Sequence, residues 1–181
     1  MNKRALLGVT GSVAAYKAAE LVRLFVKDGW DVRVIMTAAA GRFVGEATFA
    51  SLSGNPVYTD MFKPSSEWSP EHVSLAGSAD VLVIAPCTAN VLAKLANGIA
   101  DDLLSATALA CRCPVVAAPA MNEAMWDNPA TQSNVETLQA RGVRVTGVDS
   151  GDLACGYSGR GRLAAVEKIM SEAREAAESR A

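Results

Sequence analysis

The sequence predicts an α/β fold built on one doubly wound parallel sheet, and three observations carry that expectation. Near-continuous apolar runs stand at residues 4–9, 81–85 and 115–118, as strands buried on both faces require. Between them lie stretches with apolar residues three and four apart, the mark of helices with one buried face. Strands and helices alternate along the chain, which argues for βαβ units rather than hairpins.

Each element has its own justification. Residues 4–9 read as a strand, ended by the turn Thr10-Gly11-Ser12, where Ser12 stands as an N-cap. Residues 13–27 place Ala14, Ala18, Leu21, Leu24 and Phe25 on one helical side, and Gly29 suits the position just past the helix end. Residues 31–36 are a second strand, parallel to the first through a right-handed crossover. A second helix is expected over 39–52, then a break at Asn55-Pro56 and a short strand at 57–59. Residues 60–70, with Phe62, Trp68 and two prolines, read as a flap. After the strand at 81–85, residues 90–97 and 101–110 suit helices with Gly98 between them. The strand at 115–118 follows. Asn128-Pro129 opens a helix running to about Arg141, and 143–145 is a last strand. Residues 149–162 are glycine-rich and read as irregular; 164–179 read as a charged amphipathic helix. The expectation is one domain over residues 1–181: a Rossmann-like (flavodoxin-like) doubly wound sheet with helices on both faces.

Composition narrows the function classes. The 181 residues suit one domain, and half are apolar, enough for a sizeable core. A formal net charge of −2 without a basic stripe argues against nucleic acid. No stretch has the length of a membrane span, and the apolar run behind Lys3-Arg4 is too short for a signal peptide. Cys87, Cys111, Cys113 and Cys155 form neither a zinc-type pair nor a disulfide framework, so no metal is expected and a reducing cytoplasm is the simplest compartment.

Polar groups collect after the strands. The turn Gly8-Val-Thr-Gly11-Ser12 suits a phosphate at a helix N-terminus. It lacks the dinucleotide G-x-G-x-x-G pattern, and the second strand ends in Met36-Thr37 without a carboxylate, which favours a ligand with one phosphate over NAD. A plain tight turn is the competing reading. Thr37, Thr88, Asn90 and Ser105 supply hydroxyls and an amide; singly each reads as an N-cap, and together they point to a bound cofactor. Pro119-Ala-Met-Asn-Glu-Ala-Met-Trp126 gathers soft, bulky side chains around one amide just past a strand, which suits a pocket wall as well as core packing. His72 is the only histidine, and imidazole is the side chain suited to proton transfer at neutral pH; a surface or satisfied group is the alternative. The segment 151–163 holds four glycines, Cys155, Arg160 and Arg162, and reads either as a flexible loop or as a clamp whose arginines meet phosphate.

Pro119-x-Met121-Asn122-x-x-Met125-Trp126 resembles the signature of the flavin-containing cysteine decarboxylases. The family's histidine segment, followed by Ala-Asp, is matched by His72-Val-Ser-Leu75 and Ala79-Asp80. Ala154-Cys155-Gly156-x-x-Gly159-x-Gly161 is similar to the substrate clamp of its phosphopantothenoylcysteine decarboxylase branch, which the peptide-cysteine branch and the flavin prenyltransferases lack in that form. The resemblance runs from Thr10 to Leu163; Gly77-Ser78 departs from a stretch that is often bulkier in relatives.

The resemblance implies FMN as cofactor, with Gly11, Ser12, Thr37, Phe43, Thr88, Ala89, Asn90, Ser105 and Ala120 on flavin-contacting positions. It implies catalytic roles for His72, Asn122 and Cys155, and substrate contacts from Asn122, Met125, Ala154, Arg160 and Arg162. Met121, Met125 and Trp126 are the inferred wall. The implied reaction converts 4′-phosphopantothenoylcysteine to 4′-phosphopantetheine in coenzyme A biosynthesis. A peptidyl-cysteine decarboxylase and a non-catalytic FMN-binding regulatory subunit stand as alternatives. The family forms trimers or dodecamers with the flavin at a subunit boundary, and many members are fused to a phosphopantothenate–cysteine ligase domain.

Overall fold

The computed structural model describes residues 3–62, 70–152, 156 and 158–179. Six strands form one parallel sheet: β1 (Arg4–Val9), β2 (Asp31–Met36), β3 (Val57–Tyr58), β4 (Val81–Cys87), β5 (Val115–Pro119) and β6 (Arg144–Val145). Their order is β3-β2-β1-β4-β5-β6, the order of dinucleotide-binding sheets, so the winding direction reverses between β1 and β4. In register, Ala5 lies opposite Val32 on one side and Val81 on the other. A ligand crevice belongs at the carboxyl ends of those two strands.

Eight helices accompany the strands among the described residues: α1 (Ala15–Lys27), α2 (Glu46–Ser53), α3 (Glu71–Ser78), α4 (Ala89–Asn97), α5 (Leu103–Ala110), α6 (Glu123–Trp126), α7 (Pro129–Ala140) and α8 (Val166–Glu178). Helices α1, α2 and α8 cover one face, where Leu21, Phe25, Phe49 and Ile169 bury against Leu7, Val34 and Val83. Helices α3, α4, α5 and α7 cover the other, where Leu75, Leu92, Leu104 and Leu138 meet Leu6, Leu82 and Ile84. Alternate residues of one strand thus serve two cores, and truncating a fully buried leucine in either costs about 2–5 kcal/mol.

The structure revises the sequence reading in four places. The helix expected over 39–52 is divided: Ala40–Arg42 is a single 3-10 turn, and α2 begins after Gly45, whose extended backbone (ψ 147°) restarts the chain. Ser12 is not the cap of α1. Its Oγ accepts the Ala14 N–H at 3.3 Å within the turn, and Ala14 takes the cap position. The segment read as irregular holds an antiparallel hairpin, β7 (Asp149–Asp152) with β8 (Ser158–Arg162), standing apart from the main sheet. Its strands are glycine, serine and charge, so no apolar alternation announces them. Helix α3, which carries His72, was not foreseen. No described helix is long and apolar enough to cross a membrane.

Candidate functional site

A cavity of about 530 Å³ opens at the carboxyl edge of the sheet. Three turns frame it: the first turn after β1, the segment after β2 and the turn after β4, which contribute Thr10 and Gly11, Thr37 to Ala39, and Thr88 to Val91. Lys94, Asp102 and Met125 complete the wall. Local chemistry holds these turns in place. Thr10 is fully buried; its hydroxyl donates to the Pro86 carbonyl at 2.6 Å and accepts the Thr88 N–H at 3.1 Å, tying the two switch-point strands together. The Thr88 hydroxyl accepts the Val91 N–H at 3.4 Å and caps α4. The Thr37 hydroxyl accepts the Ala40 N–H at 3.3 Å and starts the 3-10 turn.

The first turn is short of internal partners. Ser12 N–H bonds the Thr10 carbonyl and Ala15 N–H bonds the Ser12 carbonyl, each at 2.9 Å. The N–H groups of Gly11 and Val13 have no partner among the described residues. Donors left open at the start of a long helix attract an anion. A Cβ at Gly11 would run into the Ala39 side chain, so the two turns approach this closely only because position 11 has none.

Among the described residues, Lys94 and Asp102 are the only charged ones on the wall. The Lys94 ammonium lies 2.6 Å from Asp101 and 2.7 Å from Asp102, and these two bonds, the one to Asp101 the stronger, raise its pKa. Burial pushes the Asp102 carboxyl up, but the Lys94 bond and the Ser105 N–H and hydroxyl outweigh it and hold the pKa below the ordinary value. Cys87, beneath the β4 turn, is fully buried, and burial pushes its thiol well above the usual thiol range.

Of the cofactor positions named from the sequence, the cavity gathers Gly11, Thr37, Thr88, Ala89 and Asn90. It also takes in Met125, named as a substrate contact. Ser12 sits in the first turn beside the wall rather than on it. Phe43 is exposed at the end of the 3-10 turn, and Ala120 is buried in the core. Ser105 stands off this wall, one turn from Asp102: its hydroxyl closes a capping box with that residue, and it lines a separate apolar cavity of about 170 Å³ between α4, α5 and α7. Thr10, Lys94 and Asp102 were missed. A buried threonine inside a turn named for its glycine was the signal available for Thr10, whereas the Lys94 pair depends on how α4 meets α5.

The substrate-side residues surround the end of β5. Asn122 caps α6, its Oδ1 accepting the Ala124 N–H at 2.9 Å. Strand β8 packs against this segment: the Met121 N–H bonds the Gly161 carbonyl at 3.0 Å, and the Arg160 N–H bonds Glu123 Oε1 at 3.0 Å. The Arg160 guanidinium turns to Asp127 at 2.8 Å and to Glu123 at 3.8 Å. Met121 and Trp126 are half-buried against the α4–α7 core. Arg162 is exposed on β8. His72 stands in the first turn of α3, off the cavity wall, and its buried Nδ1 has no hydrogen-bond partner among the described residues. Ala154 and Cys155, and most of the flap at 60–70, lie outside the described residues. No group of three metal-ligating side chains occurs among those described.

The sheet has the strand order of nucleotide-binding α/β proteins, and the cavity lies at its topological switch point. The model of the Flavoprotein family matches residues 1–178, and the chain belongs to that family. The coenzyme A biosynthesis bifunctional protein CoaBC of Mycolicibacterium smegmatis is 50% identical over 170 residues, 94% of this chain and 41% of that protein. CoaBC of Bacillus subtilis is 47% identical over 93% of this chain and 42% of its own length, so the chain spans about two fifths of these curated relatives. Among solved structures, a PPC decarboxylase mutant complexed with pantothenoylaminoethenethiol superposes with a TM-score of 0.86 at 32% identity, covering 97% of this chain and 98% of that one. The FMN binding protein AtHal3 superposes with a TM-score of 0.85 at 33% identity over the whole of both chains.

Proposed function

We propose that this chain is an FMN-dependent decarboxylase of 4′-phosphopantothenoylcysteine that forms 4′-phosphopantetheine in coenzyme A biosynthesis. One observation carries the reading. A single cavity at the β1–β4 switch point joins an anion-attracting first turn to Met125 of the Pro119-to-Trp126 segment. Its size, its hydroxyl lining and the absence of a carboxylate after β2 fit one mononucleotide. Gly11, Thr37, Thr88, Ala89 and Asn90 would hold FMN, with Ser12, Phe43, Ser105 and Ala120 as further contacts. The kinship with CoaBC and with PPC decarboxylase supports the substrate.

Direct loss of carbon dioxide from a cysteine carboxylate leaves an unstabilised carbanion. When bound, FMN supplies a two-electron acceptor for the thiol-bearing carbon and gives the pair back after carbon dioxide has left. Between those steps the oxidised carbon serves as electron sink, and decarboxylation yields an enethiolate. The Asn122 amide, oriented by its bond to the Ala124 N–H, holds the substrate carboxylate. His72 moves the proton in the oxidation and decarboxylation steps, through an imidazole whose Nδ1 has no competing described partner. Cys155 gives a proton when the enethiolate is reduced, and Arg162 answers the substrate phosphate.

The working unit we infer is one FMN-binding domain with a flap at about 60–70 and a clamp at about 151–163, assembled as a homotrimer or homododecamer. Val13 after the first turn, Tyr16 at the start of α1 and Phe43 after the 3-10 turn are exposed apolar side chains, which supports a subunit boundary on this side. A phosphopantothenate–cysteine ligase is the expected partner, fused or separate, as the CoaBC kinship suggests. Cys87, Cys111 and Cys113 stand outside any disulfide among the described residues, which supports a reducing, cytoplasmic setting.

Mass spectrometry of turnover tests the reading. The protein, yellow with FMN, converts phosphopantothenoylcysteine to phosphopantetheine and leaves a cysteine-ended peptide largely untouched. Cys155→Ser still releases carbon dioxide but accumulates the oxidised enethiol. Phosphopantetheine formed by Cys155→Ser at the normal rate rejects Cys155 as proton donor; turnover of the peptide alone rejects the substrate.

A further inference from the structure

Arg160 presents the conflict from which the inference starts. A guanidinium near a phosphorylated substrate reads as a phosphate ligand. In the fold it is already engaged, 2.8 Å from Asp127 and 3.8 Å from Glu123. Its main-chain N–H bonds the same Glu123 carboxylate at 3.0 Å. Glu123 is the first residue of α6, directly after Asn122, and Asp127 follows the last residue of that helix. On the other side of Glu123 stands Gly159, where a Cβ would come within 2.9 Å of Oε2. Two residues on, the Gly161 carbonyl accepts the Met121 N–H at 3.0 Å. Arg160 and Gly161 of β8 therefore hold the segment on both sides of Asn122, with Gly159 close against Glu123.

We propose that Glu123, Arg160 and Asp127 form an electrostatic latch that fastens β8 to α6 and so positions Asn122, leaving Arg160 a positioning residue rather than a phosphate ligand. The proposal rests on the decarboxylase reading, in which Asn122 holds the substrate carboxylate. Chemistry favours the latch over phosphate binding. A guanidinium committed to two carboxylates carries little net positive charge toward a third anion, whereas exposed Arg162 has no ion pair among the described residues. The pairs are partly exposed, so each contributes modestly and is screened by salt. The hydrogen bond from a main-chain N–H to a carboxylate adds a contribution that does not depend on the guanidinium.

Two measurements on the FMN-loaded protein test this. Amide hydrogen exchange reads the latch directly. In Glu123→Ala and Arg160→Ala, the amides of β8 and of residues 121–127 exchange about 3- to 10-fold faster, and 0.5 M salt speeds exchange in the wild type but not in Arg160→Ala. Glu123→Gln keeps the N–H acceptor, the side-chain volume and the Arg160–Asp127 pair, so its effect is smaller than that of Arg160→Ala. Kinetics then separates the two roles of Arg160. If the latch holds, its loss in Arg160→Ala raises KM by about the same 3- to 10-fold for phosphopantothenoylcysteine and for its dephospho analogue, because the disturbed contact is at the carboxylate end. A KM penalty for Arg160→Ala that disappears with the dephospho analogue assigns Arg160 to the phosphate and overturns the latch. Exchange unchanged in both alanine variants overturns it as well. A wild type that decarboxylates neither compound sinks the decarboxylase reading, and the exchange data identify that failure separately.

Discussion

At Gly11 the cavity depends on a side chain that is missing. A Cβ there collides with Ala39 and comes within 3.2 Å of that residue's main chain, so Gly11→Val must push the first turn away from the segment after β2. Overpacking of this kind costs about 1–3 kcal/mol. If it falls on the bound state, FMN affinity drops roughly 5- to 150-fold, read by flavin fluorescence on the apoprotein while circular dichroism stays unchanged. Unaltered affinity would show that the two turns do not close around the cofactor. Cys87 makes the opposite case, a thiol next to the site that takes no part in it. Burial suppresses its thiolate, so alkylation of the native protein should leave Cys87 unmodified and unfolding should expose it. Labelling in the native state at the rate of a free thiol contradicts this. Sequence legibility at this scale followed distance along the chain. Gly11, Thr37 and Thr88 were readable because a small or hydroxyl residue just past a strand declares its position. Thr10 was not, because its hydroxyl works on Pro86 and Thr88, and Lys94 was not, because Asp101 and Asp102 reach it across a helix junction.

Among the elements, the buried strands were the most legible and the hairpin the least. Strand β1 occupies the residues that its near-continuous apolar run marks, as a strand covered on both faces requires. Helix α7 opens at Asn128-Pro129 because the Asn128 side chain caps it at 2.9 Å and proline suits the first turn. Strands β7 and β8 bury little and are held by their ladder and by the α6 segment, neither of which leaves a periodic trace. Helix α3 was hidden for a related reason: only Leu75 and Ala76 of its eight residues are buried. One point of the hairpin's attachment is Gly161, which has φ +112° and whose Cβ would strike the Met121 carbonyl. Gly161→Ala strains the strand and breaks the Met121 bond together, while the six-stranded sheet has no part in either. The expected result is hairpin amides that exchange about tenfold faster or more, at near-normal FMN content. Slow exchange in Gly161→Ala would mean that the hairpin is held elsewhere.

For the molecule as a whole, the carboxylates determine the response to acid. Asp31 is raised by burial but held below its ordinary value by Arg4 at 2.7 Å and by Arg33, at the amino-terminal edge of the sheet. At the opposite edge burial again raises Asp102, and Lys94 with Ser105 brings it below 3.8. A carboxyl depressed in the folded state binds its proton more weakly than in the unfolded chain. Its contribution is therefore present above the unfolded value and is lost as pH falls through the lower folded value. The window opens near pH 3.8 and extends downward. Lys94 has the reverse sign: its pKa is raised above 10.5, so its share of the pairing persists through neutrality and fades only as pH climbs past that value. Asp102→Asn isolates one member of this set. Near neutral pH it loses the Lys94 pair and weakens the α5 cap, and its urea midpoint lies below that of the wild type. As pH falls below 3.8 the wild-type carboxyl becomes protonated and resembles the amide, so the difference between the two midpoints narrows. A difference that stays constant from neutrality to strong acid would show that Asp102 acts through its shape alone. The cavity wall would then owe nothing to the charge that Lys94 and Asp102 share.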